Sequence, residues 1–154
     1  MTYISVLIQH HAGPTGDVLV CRQGDGPWEF PNGRAYTNET EEAAAARIAV
    51  ESLGMVIRVG KRTLIGHKYP DDGYTEHIMC GNITHNTRTK ADYHCYYEAV
   101  DTWQTEPVPG KYTEFRWVHP SELGQLEYAG DDRQFMVKYD PWINGRFIPD
   151  ARML

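Results

Sequence analysis

One alanine-rich helix, flanked by segments that read as strands and loops, most constrains how these 154 residues fold. Thr40 is a fitting N-cap, because its hydroxyl can accept from an unpaired N–H of the first turn. Glu41 and Glu42 sit at the positive end of the helix dipole. The run Ala43 to Ala46 supplies strong propensity, and Gly54 marks the C-terminal stop. On a helical period, Ala43, Ala46, Ala49, Val50 and Leu53 fall on one stripe. Side chains that narrow predict close packing against a sheet.

The flanking segments supply that sheet. Ile4 to His10 and Asp17 to Arg22 are rich in β-formers and are separated by the turn Gly13-Pro14-Thr15-Gly16. They are expected to form a hairpin or to share one sheet. Residues 23–38 carry Gly24, Gly26, Pro27, Pro31, Asn32 and Gly33, loop chemistry interrupted by Trp28-Glu29-Phe30. Further strands are expected at Met55 to His67, Glu76 to Thr84, Tyr93 to Thr102 and Phe115 to Val118. A helical turn begins at His119, and a last helix spans Asp131 to Tyr139, stopped before Pro141. This order predicts an α+β or α/β domain, a mixed sheet sandwiched between helices, over residues 1–154. The tail, 142–154, carries aromatics expected to pack on the domain or against a second copy, which leaves a homodimer open.

Composition narrows the function classes. The chain is 41% hydrophobic and 23% charged, which argues against disorder. A net charge of −6 gives no overall field for holding polyanions, so general nucleic-acid binding is not expected. A phosphate-rich ligand would need a local basic patch, backbone N–H groups or a bound cation. No apolar run approaches a membrane span, and residues 1–11 lack the pattern of a secretory signal. Three cysteines without a CxxC pair suggest neither a disulfide framework nor a zinc ribbon. Reduced thiols in a cytoplasm are the expectation.

The stretch from Trp28 to Met55, WEFPNGRAYTNETEEAAAARIAVESLGM, resembles the Nudix box of hydrolases that act on nucleoside diphosphates linked to another group. Gly33, Glu39, Arg47, Glu51, Gly54 and Met55 fall on the box's glycine, first glutamate, arginine, following glutamate, last glycine and final apolar position. Trp28, Phe30 and Pro31 match the residues that commonly precede it, and the flanking strands fit nearly the whole chain. The resemblance implies the Nudix fold, a phosphate-containing small-molecule ligand, and Mg (or Mn) held by helix carboxylates and a carbonyl near Gly33. It assigns Glu51, Gly33 and Glu39 to the cation, Arg47 to orienting the glutamates, and Gly33, Arg47 and Gly54 to the motif's architecture.

The chain departs from the box at two ligand positions. Ile48 and Ser52 stand where the family has glutamates, so one helix face presents Ile48, Glu51 and Ser52 in place of three carboxylates. Water attacking a diphosphate must approach a polyanion, and a divalent cation neutralises it and acidifies the water. Ile48 ligates nothing, and Ser52 offers a weak neutral oxygen. Glu41 lies about 15 Å along the axis from Glu51 and is too distant to share an ion. Glu106 and Glu114 are the acids expected to complete a rerouted site with Glu51, as ligand or base. His67, His85 and His119 are the alternative bases. Arg34 and Tyr74 are candidate substrate contacts, with Tyr69, Tyr96 and Tyr97 as further rings on which a base could stack. Glu51 has a plain structural role as well, as an ion pair four residues from Arg47. Glu39 also reads as structural, and Gly33 is expected for its backbone conformation. The expectation is a metal-dependent Nudix-type hydrolase with a weakened or rerouted metal site. The alternative is a Nudix fold that binds a nucleotide or a partner without cleavage.

Overall fold

The computed structural model describes residues 2–10, 16–68, 75–79, 92–102 and 105–137. Its strands are β1 (Thr2–Gln9), β2 (Val18–Arg22), β3 (Asn32–Arg34), β4 (Ile57–Lys68), β5 (Thr75–Met79), β6 (Asp92–Asp101) and β7 (Glu114–Val118), with helix α1 (Glu41–Leu53) between β3 and β4. They form one sheet in the order β5-β4-β6-β1-β2-β7, and β3 pairs with the start of β1. β1 and β6 run parallel over Thr2↔Tyr93 to Gln9↔Val100, and the other pairings are antiparallel. The sheet is therefore mixed, as expected. Tyr69, Tyr74, His85 and the tail lie outside the described residues.

Strand alternation sorts the core into two layers. Ile4, Val6, Ile8, Leu19, Cys21, Cys95, Tyr97 and Ala99 pack beneath α1. Leu7, Val18, Val20, Tyr96 and Val118 pack on the opposite face, with Phe30, Leu123, Tyr128, Phe135 and Met136. That second layer is covered by a 3-10 helix (Pro120–Gln125) and by a helix, α2, whose described part spans 130–137. β1 is buried on both faces, as a central strand must be. Burial pushes the thiols of Cys21 and Cys95 well above their usual range, and both are free. Among the described residues, no helix is long and apolar enough to cross a membrane.

The helix ends fall where local chemistry puts them. Thr40 is the N-cap, its side chain accepting from the Ala43 N–H at 3.1 Å. Gly54 closes α1 with φ 66°, and its N–H returns to the Val50 carbonyl at 3.0 Å. The phase of the helix differs from the expected stripe. The buried residues are Ala44, Ala45, Ile48, Ala49 and Leu53, while Val50 is 53% exposed. Ile48 lies off the alanine stripe and is 2% exposed, and the helix turns by roughly 100° relative to that stripe to sink it. Burial of such a side chain is worth about 1.5–3 kcal/mol, more than any alanine beside it returns.

Candidate functional site

Arg47 organises the loop that leads into α1. Its Nε donates to Glu39 Oε2 at 2.8 Å and its Nη2 to Glu39 Oε1 at 3.0 Å, a two-pronged pair. Nη2 also donates to the Arg34 carbonyl at 2.7 Å, and Nη1 to Glu51 Oε2 at 3.0 Å. The guanidinium lies over the Tyr36 ring, 3.7 Å from its centroid. Glu39 Oε1 also accepts from the Tyr36 N–H at 2.9 Å. Hydrogen bonding from Arg47, then from the Tyr36 amide, holds the Glu39 carboxyl below its usual range. Those partners, Glu39 chief among them, hold the guanidinium above its own.

Gly33 meets this frame from the sheet side. A Cβ placed on Gly33 would stand 3.0 Å from Ile48 Cγ1 and 3.2 Å from Cδ1. Gly33 is not among the residues with positive φ. Its role is therefore close approach of β3 to α1, and the expectation of a backbone-conformation role is corrected. Ile48 is 2% exposed. The position that the resemblance gives to a cation ligand is filled by core packing.

The segment 105–112 docks beside the C-terminal end of α1. The Val108 N–H donates to the Leu53 carbonyl at 2.8 Å. Buried Tyr112 reaches the Asn32 side chain at 3.3 Å. Glu106 accepts from Trp117 Nε1 at 3.2 Å, and Trp117 packs against the core layer beneath α1. Glu106 is thus brought to the α1 side. Lys111 Nζ donates to the Asn32 carbonyl at 3.0 Å, beside Gly33.

Other expected residues go elsewhere. Glu114 lies opposite Arg22, whose Nε and Nη2 reach its Oε2 at 3.0 and 2.7 Å. It alternates with Phe115 and Trp117, so its side chain leaves the sheet on the face away from α1. The structure does not bring it to Glu51. Arg34 gives its carbonyl to Arg47. Its side chain, opposite Tyr3 in register, also leaves on the far face. Tyr96 is fully buried, its ring 3.8 Å from that of Phe135, and Tyr97 is buried with its hydroxyl on Glu41 at 2.6 Å. Neither ring is open to a base. His119 caps the 3-10 helix through Nδ1, which accepts from the Ser121 N–H at 3.2 Å. Sequence reasoning missed Tyr36 and Lys111. Tyr36 sits three residues before Glu39 at the mouth of the helix, a spacing that could have marked it. Nothing local marks Lys111, whose partner is 79 residues away.

Among the described residues the donor set does not fit a divalent cation. Among the described residues no three His, Cys, Asp or Glu side chains converge. Both Glu39 oxygens are engaged by Arg47, one Glu51 oxygen is tied to it, and the Asn32 carbonyl is taken by an ammonium. A hard cation asks for several free oxygens. Two clefts among the described residues lie elsewhere. One, of about 480 Å³, is at the N-terminal end of α1 by Glu41, Arg62 and Tyr97. The other, of about 460 Å³, lies beside Arg22, Trp28, Tyr128 and Arg133.

This loop, helix and mixed sheet define a Nudix domain, and a family model described as NUDIX domain matches residues 3–139. The chain belongs to the Nudix family. Solved structures similar to it include the Escherichia coli ORF135 protein, at 17% identity and TM-score 0.66, covering 94% of this chain and 91% of that one. A MutT protein from Methanosarcina mazei Go1 matches at 14% identity and TM-score 0.61, covering 99% and 95%. The NUDIX domain of Shewanella oneidensis NrtR, in complex with ADP ribose, matches at 14% identity and TM-score 0.59, covering 93% and 88%. At these identities the likeness shows the fold. No curated protein matches the sequence.

Proposed function

We propose that this Nudix domain binds a phosphate-containing small molecule of the nucleoside-diphosphate class where the loop 32–39, the C-terminal half of α1 and the segment 105–112 meet. In this reading the family's cation-driven hydrolysis is lost. One observation carries it. Ile48 is sunk against Gly33 inside the core, at a position where a cation site would need a carboxylate. The Arg47 frame that shapes the loop is nonetheless intact, with Glu39, Glu51 and the Arg34 carbonyl all in place. The ADP ribose held by the NrtR domain supports the ligand class.

Hydrolysis with a rerouted cation is the second reading. It is favoured by the exposure of Glu51 and by Glu106, which docks on the same side of the sheet. Thermal shift and product release, measured on one ligand panel with Mg, with Mn and with EDTA, separate the two. The binding reading expects stabilisation by ADP, ADP ribose or a sugar nucleotide without release of phosphate or nucleotide. Release that needs a cation and is lost in Glu51→Gln would support the second reading and overturn the first. Neither stabilisation nor release with any ligand would overturn both.

A further inference from the structure

The Lys111 ammonium is held in place, and it has capacity to spare. Its segment is fixed by Tyr112, 1% exposed, and by Gln23 Nε2, which donates to the Lys111 carbonyl at 2.7 Å. The Gly110 N–H closes the turn on the Tyr112 carbonyl at 3.0 Å. An ammonium carries three N–H donors, and one is used on the Asn32 carbonyl. The Tyr112 ring lies under it, with Nζ 5.3 Å from the centroid. Among the described residues no carboxylate pairs with Lys111. Glu29 accepts from the Asn32 side chain at 3.1 Å.

Those donors stand beside the peptide that joins Asn32 to Gly33, and Gly33 packs on Ile48. The chain has an apolar side chain where a cation's carboxylate is implied and a fixed positive charge on the loop carbonyl beside it. Two missing carboxylates and the Lys111 ammonium move the local balance toward anion binding. A compact ammonium recognises phosphate as a point charge and needs no metal to do so.

We propose that Lys111, seated on the Asn32 carbonyl, is the charge that receives the ligand's phosphate, so that binding proceeds without a divalent cation. This rests on the binding function proposed above. The test is calorimetric titration with ADP and with inorganic pyrophosphate, each in excess EDTA and in excess Mg. Wild type binds in EDTA, and Mg, which itself complexes these phosphates, does not tighten the binding. Lys111→Gln weakens binding about tenfold or more, the scale of a charge-assisted hydrogen bond, and Lys111→Arg restores most of it. Thermal melts of the unliganded variants check that they are folded. Binding that requires Mg, or that is unchanged in Lys111→Gln, would overturn the role of Lys111 while leaving the binding function intact. No binding by wild type under either condition would overturn the binding function, and this inference with it.

Discussion

Replacing Ile48 by Glu restores the family's motif on paper and is expected to unfold the site in practice. Ile48 is 2% exposed, and its side chain fills the space in front of Gly33. The substitution removes an apolar burial worth about 1.5–3 kcal/mol. It also places a carboxyl where ionisation is disfavoured. Keeping that carboxyl protonated at pH 7, against an ordinary value of about 4.3, costs about 3–4 kcal/mol. Together these reach about 4.5–7 kcal/mol, comparable to the whole stability of many domains. The deficit has a sign in pH. A buried Glu with a raised folded-state pKa binds its proton more tightly folded than unfolded, so stability falls as pH rises above about 4.3. The deficit at pH 5 should therefore be smaller than at pH 7 by about 2–3 kcal/mol. Ile48→Ala is the control, with a cost of about 2–5 kcal/mol that does not vary with pH. Urea melts of the three proteins at both pH values, with and without Mg, read all of this. An Ile48→Glu protein as stable as wild type at pH 7, or one rescued by Mg, would refute the reasoning.

The same contact predicts coupling. Gly33→Ala should cost about 1–3 kcal/mol by overpacking in wild type and little in an Ile48→Ala background, so a double-mutant cycle in urea melts should be far from additive. Glu39, held below its usual range by Arg47, contributes stability that is present above the ordinary carboxylate value and lost as pH falls through the lowered one. Arg47→Met should move the acid-unfolding midpoint to higher pH. Asp132 is pushed up to about 6 by burial, against the hydrogen bonds it accepts from the Tyr96 hydroxyl at 2.7 Å and the Phe30 N–H at 3.0 Å. Its raised value means stability is lost as pH rises from about 4 to about 6. Asp132→Asn should gain on wild type by about 2–3 kcal/mol across that window, as read by melts at each pH.

What the sequence made legible was local. The Thr40 cap and the Gly54 stop each depend on partners within four or five residues, and both stand where their chemistry puts them. The helix phase was not legible, because the alanine count outweighed one isoleucine whose hole is supplied by Gly33, fifteen residues earlier in the chain. β3 was read as loop, since Asn32-Gly33-Arg34 carries no strand propensity. It forms because Tyr3, Ile4 and Ser5 offer it a ladder. Glu106 and Glu114 looked equivalent by position. Strand alternation separates them, with Glu114 on one face of β7 and the Trp117 that holds Glu106 on the other. Lys111 was invisible for the reason that contacts across many residues usually are: its partner is set by how the loop folds back over the sheet.

The central claim is that core packing and Arg47 close the cation position of this Nudix helix, and Mn titration followed by NMR tests it most directly. Paramagnetic broadening is read at the amides of Gly33, Glu39, Ile48 and Glu51 as Mn is raised to millimolar concentration without ligand. The account predicts no saturable broadening at these amides in wild type. Saturation below millimolar Mn, centred on Glu51 and Gly33 and abolished by Glu51→Gln, would contradict it.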